Sequence, residues 1–142
     1  MLPVVQQIAM GMGVEPYLLA STLKGVVAQR LVRRLCPACR KLVEANAAEE
    51  KIIGARKVYN AVGCEKCGGT GFYGRLALHE ILSVDKNIRE LILSSRDLDK
   101  IRTAAVESGL KSLAADGFEK IRAGLTTLEE VQRILGGEVK FE

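Results

Sequence analysis

Aromatic residues are scarce in this sequence: of its 142 residues three are Phe, three are Tyr and none is Trp. A folded core must therefore be built mainly from Leu, Ile, Val and Ala. Apolar residues make up 48% of the chain and charged residues 27%, which is the balance of a globular protein and not of a disordered one. Four cysteines are too few for a disulfide-rich scaffold of this length.

Long apolar runs are also missing, and no segment approaches the roughly 20 apolar residues that span a bilayer. The first charged residue is Glu15, and the opening segment has neither the basic start nor the apolar stretch of a secretory signal. We therefore expect a cytoplasmic protein. Thiols stay reduced in that compartment, where paired cysteines more often hold a metal ion than form disulfides.

Signals for catalysis are weak. The chain contains no phosphate-binding Gly-x-x-x-x-Gly-Lys-Ser/Thr motif, which excludes nucleotide binding by that route. Residues 69–74 (GTGFYG) match the dinucleotide fingerprint, but a strand is predicted after them where the fingerprint requires a helix. His79, the one histidine, could form an acid–base couple with Glu80, yet no nucleophile motif accompanies it. We predict a hydrogen-bonded strand histidine, no catalytic residue and no cofactor-binding residue.

Basic charge is concentrated in the first half of the chain. Residues 1–75 carry 11 Lys and Arg against 5 Asp and Glu, whereas residues 76–142 carry 10 against 12. A solvated basic face is the simplest interpretation. The alternative is an anionic partner, such as nucleotide phosphates or acidic lipid headgroups. Four arginines lie close together in the basic half: Arg30, Arg33, Arg34 and Arg40.

The residue pattern predicts a mixture of strands and helices. Strands are expected over residues 26–35 and 75–82, which flank the cysteines like the legs of a hairpin. Helices are expected over residues 3–10 and 16–23, before the first strand. A helix near residues 44–53 and a strand near residues 57–62 are expected between the cysteine pairs.

A helical periodicity begins at Val84 and predicts four short amphipathic helices. Asp85 and Asp97 are the expected caps of the first two helices. The third presents apolar residues from Leu110 to Ile121 and ends near Gly124. The fourth opens with two overlapping capping boxes, Thr126-x-x-Glu129 and Thr127-x-x-Glu130. The fold class is therefore α+β, with a small C-terminal lobe of about four helices.

The strongest motif is a pair of Cys-x-x-Cys turns, Cys36/Cys39 and Cys64/Cys67, with 24 residues between them. A two-residue gap lets one turn point both sulfurs at the same ion, and two turns complete a tetrahedral thiolate site for structural Zn²⁺. A catalytic zinc would keep an open position with His or carboxylate ligands. The alternatives are two disulfides, four buried thiols or a thioredoxin-like redox pair.

Five segments spread over most of the chain carry a recognisable family pattern: residues 12–20 (MGVEPYLLA), 28–37 (AQRLVRRLCP), 63–75 (GCEKCGGTGFYGR), His79-Glu80 and 124–130 (GLTTLEE). In this order they resemble the C-terminal part of the bacterial secretion ATPases, the hexameric motors of type II secretion and type IV pilus assembly. The residues at positions 12–16 and 36–39 favour the type II branch.

This resemblance implies a division of the chain. Residues 1–35 would be the C-terminal part of the ATPase core, residues 36–73 a tetracysteine zinc subdomain, residues 74–83 the returning core strand, and residues 84–142 the helical lobe. The strand hairpin would lie at the edge of the ATPase-core sheet and carry the zinc subdomain as an insertion. The resemblance assigns no role to Arg30 and Arg33.

The resemblance also implies an activity and partners. In relatives the phosphate-binding loop lies upstream of the matched part, so this chain resembles a fragment that is inactive alone, while its longer parent uses ATP and Mg²⁺. The implied partners are other copies of the motor, inner-membrane secretion components and acidic lipid, at the cytoplasmic side of the inner membrane.

The alternative function is a free-standing structural zinc module that binds nucleic acid or unfolded protein. Residues 64–71 resemble one repeat of a chaperone zinc domain, but that domain uses four such repeats. Nucleic-acid modules interleave aromatic residues with basic ones for stacking, and residues 30–40 contain no aromatic residue. We therefore expect no nucleic-acid partner.

Overall fold

The computed structural model describes residues 11–94 and 98–136. This part of the chain contains six α-helices, four strands and one short 3₁₀ turn, so the mixed helix-and-strand fold is confirmed. The predicted helix over residues 3–10 and the predicted cap Asp97 lie outside the described residues. In chain order the elements are α1 (Pro16–Thr22), β1 (Gly25–Leu35), β2 (Lys41–Glu44), α2 (Ala47–Ile53), β3 (Lys57–Asn60), the 3₁₀ turn (Glu65–Cys67), β4 (Phe72–Ser83), α3 (Lys86–Ser94), α4 (Leu98–Glu107), α5 (Leu113–Arg122) and α6 (Leu128–Leu135).

The strands form two separate pairs, β1 with β4 and β2 with β3. The Val84 N–H donates to the Lys24 carbonyl, and the Cys36 N–H donates to the Gly71 carbonyl. These bonds flank the first pair and show that β1 and β4 run in opposite directions, as the predicted hairpin legs require. Strand β4 begins three residues earlier than predicted and ends at Ser83.

Strand β2 was not predicted, because its four residues carry only two apolar side chains and show no clear alternation. It pairs antiparallel with β3, with Leu42 opposite Tyr59. The helix predicted near residues 44–53 begins later, at Ala47, because Asn46 forms a capping box with Glu49. The segment between the cysteine pairs is therefore a strand, a helix and a strand.

The chain divides into two compact units. The first unit comprises residues 1–28 and 80–112, and helices α1, α3 and α4 belong to it. Asp85 caps α3 as predicted, since its Oδ1 accepts from the Ile88 N–H at 2.9 Å, and this bond lowers the pKa of the carboxyl. The first core consists of Ala20, Val26, Leu82, Val84, Ile88, Ile92, Ile101, Ala104 and Ala105.

The second unit comprises residues 29–79 and 113–142, so the four C-terminal helices are divided between the units. Helix α2 and strand β3, which lie between the cysteine pairs, share a core with α5 and α6. The segment between the cysteines therefore does not rely on a core of its own. The second core consists of Val32, Ile53, Val58, Leu78, Ile121, Leu128, Val131 and Leu135.

The start of α6 shows which of the two threonines in the overlapping capping boxes caps the helix. The Thr127 side chain caps the helix by accepting from the Glu130 N–H at 3.3 Å. Thr126 does not cap: it is fully buried, and its hydroxyl donates to the Arg33 carbonyl at 2.9 Å. The Glu130 carboxylate does not reach back to the helix start as a capping box requires, because it binds two arginines.

Glu130 is only 2% exposed, which is unusual for a carboxylate. Its oxygens accept from the Arg33 guanidinium at 2.5 Å and from the Arg33 backbone N–H at 3.1 Å. Arg133 donates to both oxygens, at 2.9 and 2.8 Å. Burial disfavours the charged form, but the hydrogen bonds from Arg133 and Arg33 outweigh it and lower the pKa of Glu130 to about 2.

No helix among residues 11–94 and 98–136 is both long enough and apolar enough to cross a membrane.

The pKa of Glu130 predicts a pH dependence of stability. The value of about 2 in the folded protein lies below the roughly 4.3 of an unfolded glutamate, so the contribution is complete above about pH 5 and is lost as the pH falls toward 2. The expected size is on the order of 3 kcal/mol. Urea unfolding between pH 2 and 7 should show this loss in the wild type and much less of it in Glu130→Gln.

Glu129→Gln is the matched control for that experiment, since Glu129 lies beside Glu130 on α6 but is exposed. It should keep the wild-type pH dependence. An equal loss of stability with falling pH in Glu130→Gln and in the wild type would contradict the assignment to Glu130.

Gly117 predicts a second effect, on packing. A Cβ at this position in α5 would lie 2.9 Å from Val131 Cγ1 and 3.6 Å from Leu78 Cδ1. Alanine improves helix propensity by roughly 1 kcal/mol, but overpacking against a stiff, buried valine typically costs about 1–3 kcal/mol. Gly117→Ala should therefore destabilise the protein by about 1 kcal/mol in chemical unfolding.

In a Val131→Ala background the obstructing methyl groups are gone. The same Gly117→Ala change should then be neutral or stabilising, because only the gain in helix propensity remains. Equal destabilisation in both backgrounds would show that Val131 is not the cause.

Candidate metal centre

Each cysteine pair forms a tight turn, closed by backbone hydrogen bonds to the carbonyl of its first cysteine. In the first turn, the Cys36 carbonyl accepts from the N–H groups of Cys39 and Arg40, at 3.3 and 3.0 Å. In the second, the Cys64 carbonyl accepts from the N–H groups of Cys67 and Gly69, at 3.2 and 2.9 Å. Each turn therefore presents its two sulfurs on one side, as the two-residue spacing predicts. The first turn follows β1 directly, and the second precedes β4.

The turns bring all four sulfurs together, and every Sγ lies within 4.8 Å of the others. The Sγ–Sγ distance is 3.9 Å between Cys36 and Cys64 and 3.8 Å between Cys39 and Cys67. Four thiolates at about 2.3 Å from a central Zn²⁺ would be about 3.8 Å apart in a tetrahedron. A disulfide would need about 2.05 Å, and all four cysteines are unbonded. The cluster could therefore hold one metal ion.

Backbone N–H groups point at the sulfurs. Gly63 donates to Cys39 Sγ at 3.4 Å, and Cys64 and Gly71 each donate to Cys67 Sγ at 3.2 Å. Such donors stabilise negative charge on sulfur, which a set of thiolate ligands needs. Gly71 is one of the three glycines that closely follow Cys67 in the sequence.

Glycine is required at two of these donor positions. Gly63 has φ of 110°, and a Cβ there would lie 2.5 Å from the Gly69 carbonyl oxygen. Gly71 has φ of 77°, and a Cβ there would lie 2.6 Å from the Ala61 Cβ. Both positions combine a left-handed backbone with a close approach of another chain segment, so no larger residue fits.

The thiols differ in acidity. Burial raises the pKa of the Cys39 thiol to about 11, although the Gly63 N–H partly opposes this. Burial also acts against ionisation of Cys67, but the N–H groups of Cys64 and Gly71 outweigh it and lower the pKa to about 6. A bound divalent cation would favour the thiolate form throughout the cluster.

Arg40 connects the first turn to the loop between α5 and α6. Its guanidinium donates to the Gly124 carbonyl, and its Cζ lies 4.7 Å from the centre of the Tyr59 ring. Sequence reasoning missed this contact and treated Arg40 as one of four clustered arginines. Arg40 and Gly124 are 84 residues apart, and no local pattern indicates their contact.

The other three arginines of that group have different surroundings in the structure. Arg33 binds Glu130, and its Cζ lies 4.1 Å from the centre of the Phe72 ring. Arg30 and Arg34 are exposed on β1. Arg33 and Arg40 are therefore held by contacts within the second unit.

The two weak catalytic signals are explained by structure. Residues 69–74 lead from the second cysteine turn directly into β4, so the helix N-terminus that a dinucleotide site needs does not follow them. His79 lies within β4, where its backbone N–H donates to Asp116 Oδ2 at 2.9 Å. Asp116 also binds Lys120. The bond to Asp116 is made by the His79 backbone, so the role predicted for the imidazole stays a prediction.

Comparison with known proteins supplies the family. The sequence model of the family described as Type II/IV secretion system protein matches residues 5–133. The chain is 44% identical over 128 residues to the type IV pilus assembly ATPase PilB of Thermus thermophilus, covering 84% of this chain and 14% of that protein.

Two relatives from type II secretion match equally well. The type II secretion system ATPase E of Vibrio cholerae is 41% identical over 128 residues, which cover 87% of this chain and 25% of that protein. The type II secretion system protein HxcR of Pseudomonas aeruginosa is 45% identical over 123 residues, covering 87% of this chain and 24% of that protein. The chain thus spans a quarter or less of the length of these three relatives. The resemblance found in the sequence motifs is confirmed, and the chain belongs to the type II/IV secretion system protein family.

Proposed function

We propose that this chain is the C-terminal zinc-binding segment of a hexameric ATPase motor that powers type II protein secretion. Cys36, Cys39, Cys64 and Cys67 are the proposed zinc ligands. The observation that carries the metal part is the set of four sulfurs within 4.8 Å of one another, three pairs of which are 3.8–3.9 Å apart, with backbone N–H groups directed at Cys39 and Cys67. The motor part rests on the family match and on relatives named as secretion and pilus ATPases.

The proposed role of zinc is structural. All four ligands are cysteine thiolates, so a tetrahedral ion would keep no open position for substrate or water. When bound, Zn²⁺ would supply a cross-link between the two cysteine turns and no reaction. This chain's residues hold the turns in place: Gly63 and Gly71 direct N–H groups at sulfur, and β1 and β4 bring the turns together.

The proposed parts of the motor follow the sequence boundaries. Residues 1–35 and 74–83 would complete the ATPase core at its sheet edge, residues 36–73 would form the zinc subdomain, and residues 84–142 would supply the helical part. Type IV pilus assembly remains the alternative branch, because relatives from both systems match at similar identity. The free-standing zinc module is disfavoured, since the family match extends through residue 133, well beyond the cysteines.

The proposed environment is the cytoplasmic face of the inner membrane, with other copies of the motor and with membrane-embedded secretion components as partners. Acidic lipid is a further proposed partner of the basic half. Arg56 is 3.3 Å from Glu50 and Lys57 is 3.9 Å from Glu44, so these cations face carboxylates of the same unit. The exposed Lys41, Lys51 and Lys66 are better placed for lipid headgroups.

Zinc binding gives the first test of the proposed function. Protein purified under reducing conditions should contain one zinc ion per chain by elemental analysis. Structural zinc contributes roughly 10–16 kcal/mol of apparent binding free energy at neutral pH. Because α2 and β3 share their core with α5 and α6, removal of the ion by a chelator should reduce the helical circular-dichroism signal beyond what α2 alone contributes.

Cys64→Ser should act like the chelator, because three thiolates and water make a weaker site. Lys66→Ala is the matched control, since this exposed residue lies between Cys64 and Cys67 and donates nothing to the cluster. A purified chain with no metal and four free thiols would refute the zinc assignment.

Nucleotide binding gives the second test. The chain alone should neither bind nor hydrolyse ATP, because its sequence contains no phosphate-binding loop. Calorimetric titration with Mg·ATP should give no heat of binding, whereas a longer protein that includes the upstream region should hydrolyse ATP. Micromolar affinity of the isolated chain for ATP would contradict the proposal that nucleotide binding depends on the upstream region.

A further inference from the structure

The loop between α5 and α6 is bound to both sides of the first cysteine turn. On one side, the Leu35 N–H donates to the Leu125 carbonyl at 2.8 Å, immediately before Cys36. On the other, the Arg40 guanidinium donates to the Gly124 carbonyl, immediately after Cys39. The turn that presents two of the four sulfurs is therefore flanked by two anchors to the same loop.

Tyr59 and Gly124 make the second anchor specific. The Arg40 Cζ lies over the Tyr59 ring, 4.7 Å from its centre, while the same guanidinium donates to the Gly124 carbonyl. Gly124 has φ of 69°, and a Cβ there would lie 2.5 Å from Tyr59 Cδ2 and 3.1 Å from Arg40 Nη1. The loop backbone, the ring and the guanidinium are thus in direct contact, and no side chain larger than hydrogen fits at position 124.

The anchored loop leads directly into α6. Thr126 is buried and bonded to β1, Thr127 caps the helix, and Val131 and Leu135 pack in the second core. The contacts that fix the first cysteine turn therefore also fix the start of α6. When the loop is ordered, it holds Cys36 and Cys39 in position to bind an ion. A bound ion would in turn hold the first cysteine turn in place, and this turn provides the contacts that order the loop.

We infer that Arg40, with Tyr59 and Gly124, is a positioning residue of the metal site, and that metal occupancy and order of the α5–α6 loop are thermodynamically coupled. The inference rests on the proposed function insofar as the four cysteines bind zinc. Coupling is reciprocal: if zinc orders the loop, a change in the loop must lower zinc affinity by the same factor. Residues that orient metal ligands without touching the ion typically alter affinity by about 10–100-fold.

The test measures zinc affinity by competition with a chromophoric chelator. Arg40→Ala should weaken zinc binding by about 10-fold or more. Arg40→Lys keeps a donor for the Gly124 carbonyl but loses the planar stack on Tyr59, so it should fall between Arg40→Ala and the wild type. Arg34→Ala removes an exposed arginine of β1 and should leave the affinity unchanged.

Gly124→Ala tests the coupling from the loop side, since Gly124 contacts no cysteine and is 85 residues beyond Cys39 in the sequence. It should also lower zinc affinity, and the double variant with Arg40→Ala should lose less than the two single losses combined. Gly109→Ala is the matched control. Gly109 has φ of 89° and nothing within 4 Å of an added Cβ, so it carries the same type of backbone strain in the first unit, which contains none of the cysteines.

Hydrogen exchange supplies a readout that a general loss of stability would not reproduce. In the wild type, removal of zinc should increase amide exchange at Leu35 and in residues 124–127. In Arg40→Ala, exchange in residues 124–127 should be high with or without zinc, while the exchange of α3 should be the same as in the wild type. If Arg40→Ala fails to fold, Gly124→Ala carries the same comparison.

The outcomes separate the two proposals. No zinc in the wild type would refute the proposed function. Unchanged zinc affinity in both Arg40→Ala and Gly124→Ala would overturn the coupling but not the proposed function. The same holds if amide exchange in the wild-type loop is the same with and without zinc. Equal losses in Gly124→Ala and Gly109→Ala would assign the effect to backbone strain and would also overturn it.

Discussion

Glu130 carries a negative charge in the interior of the second unit, and a charge at such depth is stable only while its partners stay in place. Those partners are Arg33 on β1 and Arg133 on α6 itself. Arg33 in turn stacks on Phe72 of β4, and its carbonyl accepts from Thr126. The buried carboxylate of Glu130 and its half-exposed arginine partners thus fix α6 and its preceding loop on the two strands from which the cysteine turns project.

The same arrangement determines how the metal centre is supported. The segment between the cysteine pairs has only 24 residues, too few to form a core of its own. It places Ile53 and Val58 in a core shared with α5 and α6. Arg40 and Tyr59 add polar and aromatic contacts to the loop between those helices. In the proposed function the metal ion, the strands and helices α5 and α6 would therefore contribute to one cooperative unit.

In a secretion motor, this organisation would connect the zinc site to the C-terminal helices. In the proposed function the zinc ion would strengthen the connection between a core strand and the C-terminal helices of the second unit, and its effect would reach α6 through the α5–α6 loop. The chain matches a quarter or less of the three relatives described above. Nucleotide chemistry and assembly belong, in the proposal, to the longer protein.

The sequence by itself determined the parts that depend on local chemistry. The Cys-x-x-Cys spacing predicts two turns, alternation and helical periodicity predict most strands and helices, and Asp85 and Thr127 predict helix caps. It also determined the family, through motifs that keep their residue types and order. These signals lie within a few residues of one another, so no knowledge of the fold is needed to find them.

Only the tertiary structure decided which distant residues meet. Strand β2 pairs with β3, and the Thr126 hydroxyl donates to the Arg33 carbonyl. The buried Glu130 stays ionised through hydrogen bonds from Arg133 and from Arg33, which is 97 positions away in the chain. In the sequence Arg40 is compatible with a surface charge, but in the fold its guanidinium donates to the carbonyl of Gly124, 84 positions away. Contacts between residues so far apart in the chain leave no periodic or local pattern, since either partner alone is compatible with an exposed position.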